Sequence, residues 1–423
     1  MFCSWDSSLA YSEGIGVLSA CLKKAGHETK LLYIHRDMYP LDLEAIKTEV
    51  LDFSPGLVAF STLTNQYQLV KQISSSIRSY LSVPIIAGGV HPTLCPEDVL
   101  NEPSIDLLCV GEGEQTLVEL VDALDSGKEV TQIRNLIVKK NGQVFKNALR
   151  PYRHLDANPF SDREVFDFQR LIDLKNGWVD MMAGRGCPYL CTYCFNESYR
   201  NIYKNQLGAE SKAALRKNDF RILNHENSAN HENSGRYIRF RKPTLIMSEI
   251  REILEKYNNI KTFSFNDDIF TMSMRWLKEF CPLYKSEVNF PFVINSHLNY
   301  IEDDVLGLLK EAGCELVRIA IECGNARIRK DVLRRHSVSN EEVIDNIERI
   351  KKTGMRVLTY NMIGLPTETK EDILDTIRLN AMCTPDLVKI LTFYPYKNTP
   401  IYDYCLENGF LSPDHEELLN YYE

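Results

Sequence analysis

The sequence of 423 residues carries no excess of positive charge: 49 lysines and arginines stand against 58 aspartates and glutamates, a formal charge of -9. No basic stripe is therefore available to grip a phosphate backbone, and nucleic acid is not expected as a main partner beyond a local RNA contact. Long hydrophobic runs are missing too. None approaches the roughly 18 residues a membrane-spanning helix needs. The opening MFCSWDSSLA has neither the basic start nor the apolar segment of an export signal, so a cytoplasmic protein is expected. A disulfide framework is also absent: of 12 cysteines, three cluster and the others scatter through apolar or helical stretches. That usage suits a reducing compartment, with the scattered thiols as small buried hydrophobes. What is present is a hydrophobic share of 44%, enough for real cores, in a chain long enough for two domains.

The stretch from Trp178 to Glu197 organises the rest. A strand-like run ends in Gly184-Arg185-Gly186 and delivers Cys187, Cys191 and Cys194 in the spacing CxxxCxxC. Three thiolates on one short loop can hold three irons of a cubane cluster, and no fourth cysteine lies nearby, so one iron stays open. The competing reading is a structural zinc knuckle. Zinc prefers four closed ligands in separated pairs, whereas the next cysteine is Cys281, and His225 and His231 fall in a polar insert.

Ahead of this loop the chain alternates strand and helix. Gly14 to Tyr33 reads as a helix stopped by Gly26 and then a strand; strands follow at 55–61, 83–88 and 105–110, with a helix over 66–81 and another through Leu124. The pattern is that of an α/β, doubly wound (Rossmann-like) domain over residues 1–130, with a ligand crevice at the carboxyl ends of its strands. Two loops stand at that edge, Gly88-Gly89-Val90-His91-Pro92-Thr93 and Val110-Gly111-Glu112-Gly113-Glu114. Glycines there let backbone approach a ligand, or simply make a tight turn. No apolar strand precedes Asp6, so the first, central strand is expected to be missing or reduced to a remnant at Phe2 to Trp5.

Residues 131–175 read as a linker holding a small hairpin turned at Asn141-Gly142. The stretch 205–235 is polar and repeats His-Glu-Asn-Ser, an insert too polar to bury a core; its His-Glu pairs could take a stray metal. Over 176–400 the alternation resumes and gives six parallel strands, a partial (β/α)6 TIM-type barrel, followed by a C-terminal extension over 401–423. The expected strand ends are polar: Asn266-Asp267-Asp268, Asn295-Ser296-His297, Glu322-Cys323-Gly324-Asn325, Asn361 with Gly364, and Tyr394-Pro395-Tyr396. Any one of these could be a helix cap, but five facing one mouth suggest a site.

CxxxCxxC with Tyr193 before its last cysteine resembles the radical S-adenosylmethionine (SAM) enzymes. The resemblance implies a 4Fe-4S cluster on Cys187, Cys191 and Cys194 whose open iron binds the methionyl end of SAM, giving a 5'-deoxyadenosyl radical on reduction. It further implies an external one-electron donor of the flavodoxin or ferredoxin kind. By the same resemblance Glu322 meets the SAM ribose, Gly364 lets adenine lie on backbone, and Asn266, Asp267 and Asp268 stand near the methionyl amino group, with Ser296 and Arg318 as further contacts. The GGE triplet of that strand end is absent here. GIGVLSACLKKAGHE, GGVHPT and IDLLCVGEGE resemble the cobalamin-binding domain that precedes many radical domains, which implies cobalamin contacts at Gly88, Gly89, His91, Thr93, Gly111, Glu112 and Gly113. The DxHxxG signature is missing, since Asp6-Ser7-Ser8-Leu9-Ala10 holds no histidine. Any cobalamin would therefore be bound without a histidine lower ligand. Methylation of an unactivated carbon is the expected reaction. Cyclisation or rearrangement without cobalamin, and a degenerate iron-sulfur protein with no enzymatic activity, are the alternatives. A small molecule, lipid or peptide is the expected substrate.

Overall fold

The computed structural model describes residues 1–5, 9–35, 38–206, 236–335 and 338–412. His225 and His231, most of the polar insert, and the end of the C-terminal extension lie outside those residues. Two sheets organise the chain. The first runs β1 (Phe2–Trp5), β2 (Leu31–Ile34), β3 (Val58–Ser61), β4 (Ile85–Gly88), β5 (Leu107–Cys109), β6 (Leu136–Lys140) and β7 (Gln143–Lys146) in sequence. Its spatial order is β2-β1-β3-β4-β5-β6-β7.

Of the two expectations for the first strand, missing or a remnant at Phe2 to Trp5, the second is the one the structure shows. Phe2 pairs with Leu31 on one side and Ala59 on the other, so β1 bridges what would otherwise be a gap. Phe2 and Cys3 point to opposite faces and are both buried, as a parallel strand covered on two sides demands. A run of four residues, FCSW, is too short to show a period, which is why pattern alone gives no more than a remnant there. The expected hairpin of the linker forms and belongs to the same sheet: β6 pairs antiparallel with β5, and β7 antiparallel with β6.

The second sheet is the half-barrel. Its strands are β8 (Trp178–Met181), β11 (Thr262–Phe265), β12 (Phe292–Ser296), β13 (Cys314–Glu322), β14 (Arg356–Ile363) and β15 (Leu387–Thr392), all parallel. Between β8 and β11 a small antiparallel pair forms from β9 (Gly184–Arg185) and β10 (Arg239–Phe240). The alternation of strand residues decides what each does. Phe263, Phe265 and Phe292 turn outward onto Phe270, Trp276, Phe280 and Tyr284 in one aromatic core. Deleting one such ring costs about 3–5 kcal/mol. Helices start where sequence caps them: Ser339 with Glu342 and Thr369 with Asp372 form capping boxes at Asn340–Lys352 and Lys370–Cys383. At the open edge, every residue of β15 is exposed.

Candidate functional site

The cysteine loop is built by its neighbours before any ligand arrives. Asp267, buried at the end of β11, accepts backbone N–H groups from Ala183 at 3.0 Å and Gly184 at 2.5 Å. Burial pushes its carboxyl up to about 7 while those two donors oppose it. A β-carbon on Gly184 or Gly186 would stand 2.8 Å from the Arg239 carbonyl or 2.6 Å from that of Tyr237, so both turns must be glycine. Past the turn, Thr192 is stapled to the segment after β13: its hydroxyl donates to the Val332 carbonyl at 2.6 Å and its N–H to that of Leu333 at 3.2 Å.

Cys191 is buried, and Cys187 and Cys194 are half-buried. Burial, with Asp268 nearby, raises both half-buried thiols, Cys194 to about 12. A thiol so raised ionises when a metal cation takes the place of its proton. The other nine cysteines are buried elsewhere, so the loop offers three thiols and no fourth. Among the described residues no three potential ligands converge on a single ion. A cubane can take three thiolates and leave one iron without a protein ligand, whereas a structural zinc site closes four ligands around one ion. The donor set fits the cluster.

Of the expected polar strand ends, the structure brings some to the mouth and turns others away. Asn266 and Asp268 face a cavity beside the loop, and Asp267 between them points to the opposite side, into its backbone cage. Asn266 is held by Asp180, at 3.0 Å from its amide nitrogen, and by Arg318 at 3.1 Å. Arg318 also donates to the Phe265 carbonyl at 3.0 Å, which makes it a brace across the lumen. The Ser296 hydroxyl is paired with that of Thr271 at 2.5 Å. Asn361 packs outward against Asn380 of the helix layer. Gly364 has φ +82 with open space over its Cα, and its N–H donates to Glu368 at 2.6 Å.

Glu322 is the notable one. It takes φ +70 at a register break between β13 and β14, a conformation that a non-glycine residue holds only under constraint. The Tyr193 hydroxyl, from inside the cysteine motif, donates to its carboxylate at 2.8 Å. Burial raises the Glu322 carboxyl, with Arg335 and the Tyr193 bond acting against it.

The first sheet presents its carboxyl edge to this mouth. A cavity of about 370 Å³ runs from Arg185, Gly186, Asn196, Asn266 and Asp268 on the barrel, past the two glycine loops, to Phe2, Ala59 and Ile86 on the sheet face. Gly88, Gly89, Thr93, Gly111, Glu112 and Gly113 all line it, whereas His91 does not. His91 packs against Tyr67 in a tilted ring pair, centroids 4.2 Å apart, and lines a separate polar cavity with Lys71, Asp98 and Tyr394. Glu112 reaches across the domains: Arg239 grips it at 2.6 and 2.9 Å, and Arg185 at 3.1 Å. Burial works against its charge, and the two guanidinium groups more than offset it, holding the carboxyl down at about 2. Gly111 beside it has φ +83, and a β-carbon there would meet the Tyr203 hydroxyl at 2.2 Å. The cavity combines glycine backbone from the two loops with the apolar side chains of Phe2, Ala59 and Ile86.

The Radical SAM superfamily pattern matches residues 181–379, and the B12 binding domain pattern matches residues 9–121. The chain belongs to the radical SAM superfamily and carries a B12-binding domain in front of the radical domain. It is similar to an uncharacterized methyltransferase of Pyrococcus horikoshii, 25% identical, with 94% of this chain and 79% of that protein covered. It is also similar to the anaerobic magnesium-protoporphyrin IX monomethyl ester cyclase of Rubrivivax gelatinosus, 23% identical, over 88% of this chain and 62% of that one. Among solved structures, the radical SAM methyltransferase TsrM of Kitasatospora setae superposes with a TM-score of 0.72 at 16% identity, over 96% of this chain and 76% of its own. The cobalamin-dependent SAM radical enzyme OxsB gives a TM-score of 0.72 at 15% identity, over 97% and 60%. These likenesses establish the shared fold. A radical SAM enzyme needs a reductant and a substrate, and no described helix is long and apolar enough to cross a membrane.

For this radical SAM chain, sequence reasoning missed three arginines. Arg185 and Arg239 hold Glu112, and Arg335 lies against the cysteine loop. Only Arg185 carries a sequence signal, since it lies two residues before Cys187.

Proposed function

We propose that this protein cleaves SAM reductively at a 4Fe-4S cluster held by Cys187, Cys191 and Cys194, and methylates an unactivated carbon with the help of a corrin seated in the interdomain cavity. The observation that carries this reading is the continuity of that cavity: one space touches the glycine loops of the B12-binding domain and the Asn266 and Asp268 side chains beside the cluster loop. Bound there, SAM and the cluster supply a carbon-centred radical and the corrin a transferable methyl group.

The chain's own residues position those groups. Glu322 is assigned to the SAM ribose, since Tyr193 fixes its carboxyl at the carboxyl end of β13. Gly364 offers open backbone for the adenine. Asn266 and Asp268 receive the methionyl amino group; Asp267 and Ser296, already bonded inward, are not assigned to it. Gly88, Gly89, Thr93, Gly111 and Gly113 line the corrin, and Glu112 ties its loop to the barrel. Binding without a histidine lower ligand rests on the sequence Asp6-Ser7-Ser8-Leu9-Ala10, which holds no histidine where the DxHxxG signature would stand.

A second reading is cyclisation without bound corrin, and the cyclase among the relatives favours its cyclisation part alone. Methyl-labelled SAM added to anaerobic protein loaded with cluster and corrin separates the two. Label on the corrin together with 5'-deoxyadenosine supports the methyltransferase. 5'-deoxyadenosine with an unlabelled corrin supports the second reading, and neither product contradicts both.

A further inference from the structure

Arg335 stands apart from the residues assigned above. The segment that delivers it is unusual throughout: after β13 the chain makes a π-helical turn over Ile328–Val332, and Arg334 takes φ +51. π-turns and left-handed non-glycine residues cost stability and persist where the surroundings fix them. Here the fixing partner is the cysteine motif, through the two Thr192 bonds to Val332 and Leu333. The outcome is a guanidinium aimed at a cysteine sulfur. Arg335 Nη1 points at Cys191 Sγ from 3.8 Å, and Nη2 donates to the Ala320 carbonyl at 2.8 Å.

We propose that Arg335 is a positioning residue that sets the reduction potential of the cluster through its N–H···S contact to Cys191. The inference rests on the reading of Cys191 as a cluster ligand. A thiolate that accepts a charge-assisted hydrogen bond donates less electron density to its iron, and a fixed positive charge beside the cluster favours the state holding one more electron. Arginine suits the position because its fork serves the sulfur and a backbone carbonyl at once and keeps its charge when buried. Arg335 thereby makes the electron from an external donor easier to accept, without touching SAM or substrate in this role.

The test is an EPR-monitored redox titration of anaerobically reconstituted wild type, Arg335→Gln and Arg335→Lys, with iron and sulfide measured in each. Arg327→Gln, which removes an exposed side chain bonded to Thr367 in the neighbouring loop, is the folding control. In Arg335→Gln the ratio of reduced to oxidised cluster at a fixed potential should fall about tenfold, a shift of about 59 mV to more negative values for one electron. Arg335→Lys, keeping the charge, should lose less. An unchanged potential in a fully loaded Arg335→Gln protein overturns the proposal. So does failure of both Arg335 variants to load while Arg327→Gln loads, since Arg335 would then be a structural post. Wild type that takes up no cluster sinks instead the reading beneath it.

Discussion

Glu112 and Glu322 each lie at the carboxyl end of a parallel sheet, one on either side of the mouth, and their surroundings drive them in opposite directions. Two arginines overcome burial at Glu112 and keep it ionised. At Glu322 burial prevails over Arg335 and Tyr193, and the proton is held more tightly. One carboxylate ties the two domains together, and the other is buried at the end of a barrel strand with the Tyr193 hydroxyl as its donor. Residue type and strand-end position are the same in both, so only the partners distinguish a tether from a ligand group.

The sharpest way to separate the two sides of the mouth is to remove the chemistry of one and leave the other intact. Alanine at Cys187, Cys191 or Cys194 should abolish bound iron and SAM cleavage, while corrin affinity stays near wild type; iron analysis and corrin absorbance check both halves. Next in size is Glu112→Ala, which leaves the buried Arg239 without its carboxylate and should cost about 3 kcal/mol, read from denaturant unfolding. The same tether gives a pH signature. Because the folded Glu112 carboxyl lies at about 2 against an ordinary 4.5, its stabilisation is complete above pH 4.5 and drains away as pH falls towards 2. Glu112→Gln should flatten that part of the stability profile. Glu322 has the opposite sign: its raised carboxyl favours the fold at low pH, and that contribution is lost as pH rises through its folded value.

Gly111→Ala should cost about 2 kcal/mol, because a β-carbon meets the Tyr203 hydroxyl and the backbone is left-handed. Adding Tyr203→Phe should recover part of that, since the hydroxyl is the nearest atom; unfolding midpoints of the single and double variants decide it. Glu322→Gln should weaken SAM binding about tenfold, equivalent to about 1.4 kcal/mol, with the fold unchanged. Smallest of all, His91→Phe keeps a ring packed against Tyr67 and should leave corrin affinity untouched, whereas a change at a residue lining the corrin would not.

Much of this mouth was legible in the sequence because spacing and alternation report backbone: the cysteine loop, the glycine loops and the six barrel strands. Side-chain direction at a strand end was not. Asn266, Asp267 and Asp268 are consecutive and alternate faces, so a polar triplet splits into two cavity residues and one buried brace. Asn361 turns outward for the same reason, and His91 diverges from Thr93 because two residues of helix rotate by about 200°. Arg239 and Arg335 were illegible because their partners, Glu112 and Cys191, lie far away in sequence. β1 read as no more than a remnant at Phe2 to Trp5 because four residues carry too little pattern.

The most direct measurement is the EPR spectrum of the reduced, reconstituted protein recorded before and after SAM is added. An open iron on the Cys187, Cys191 and Cys194 cluster predicts a signal that changes when SAM binds and that is missing from Cys191→Ala. A cluster spectrum that is identical with and without SAM would contradict the account.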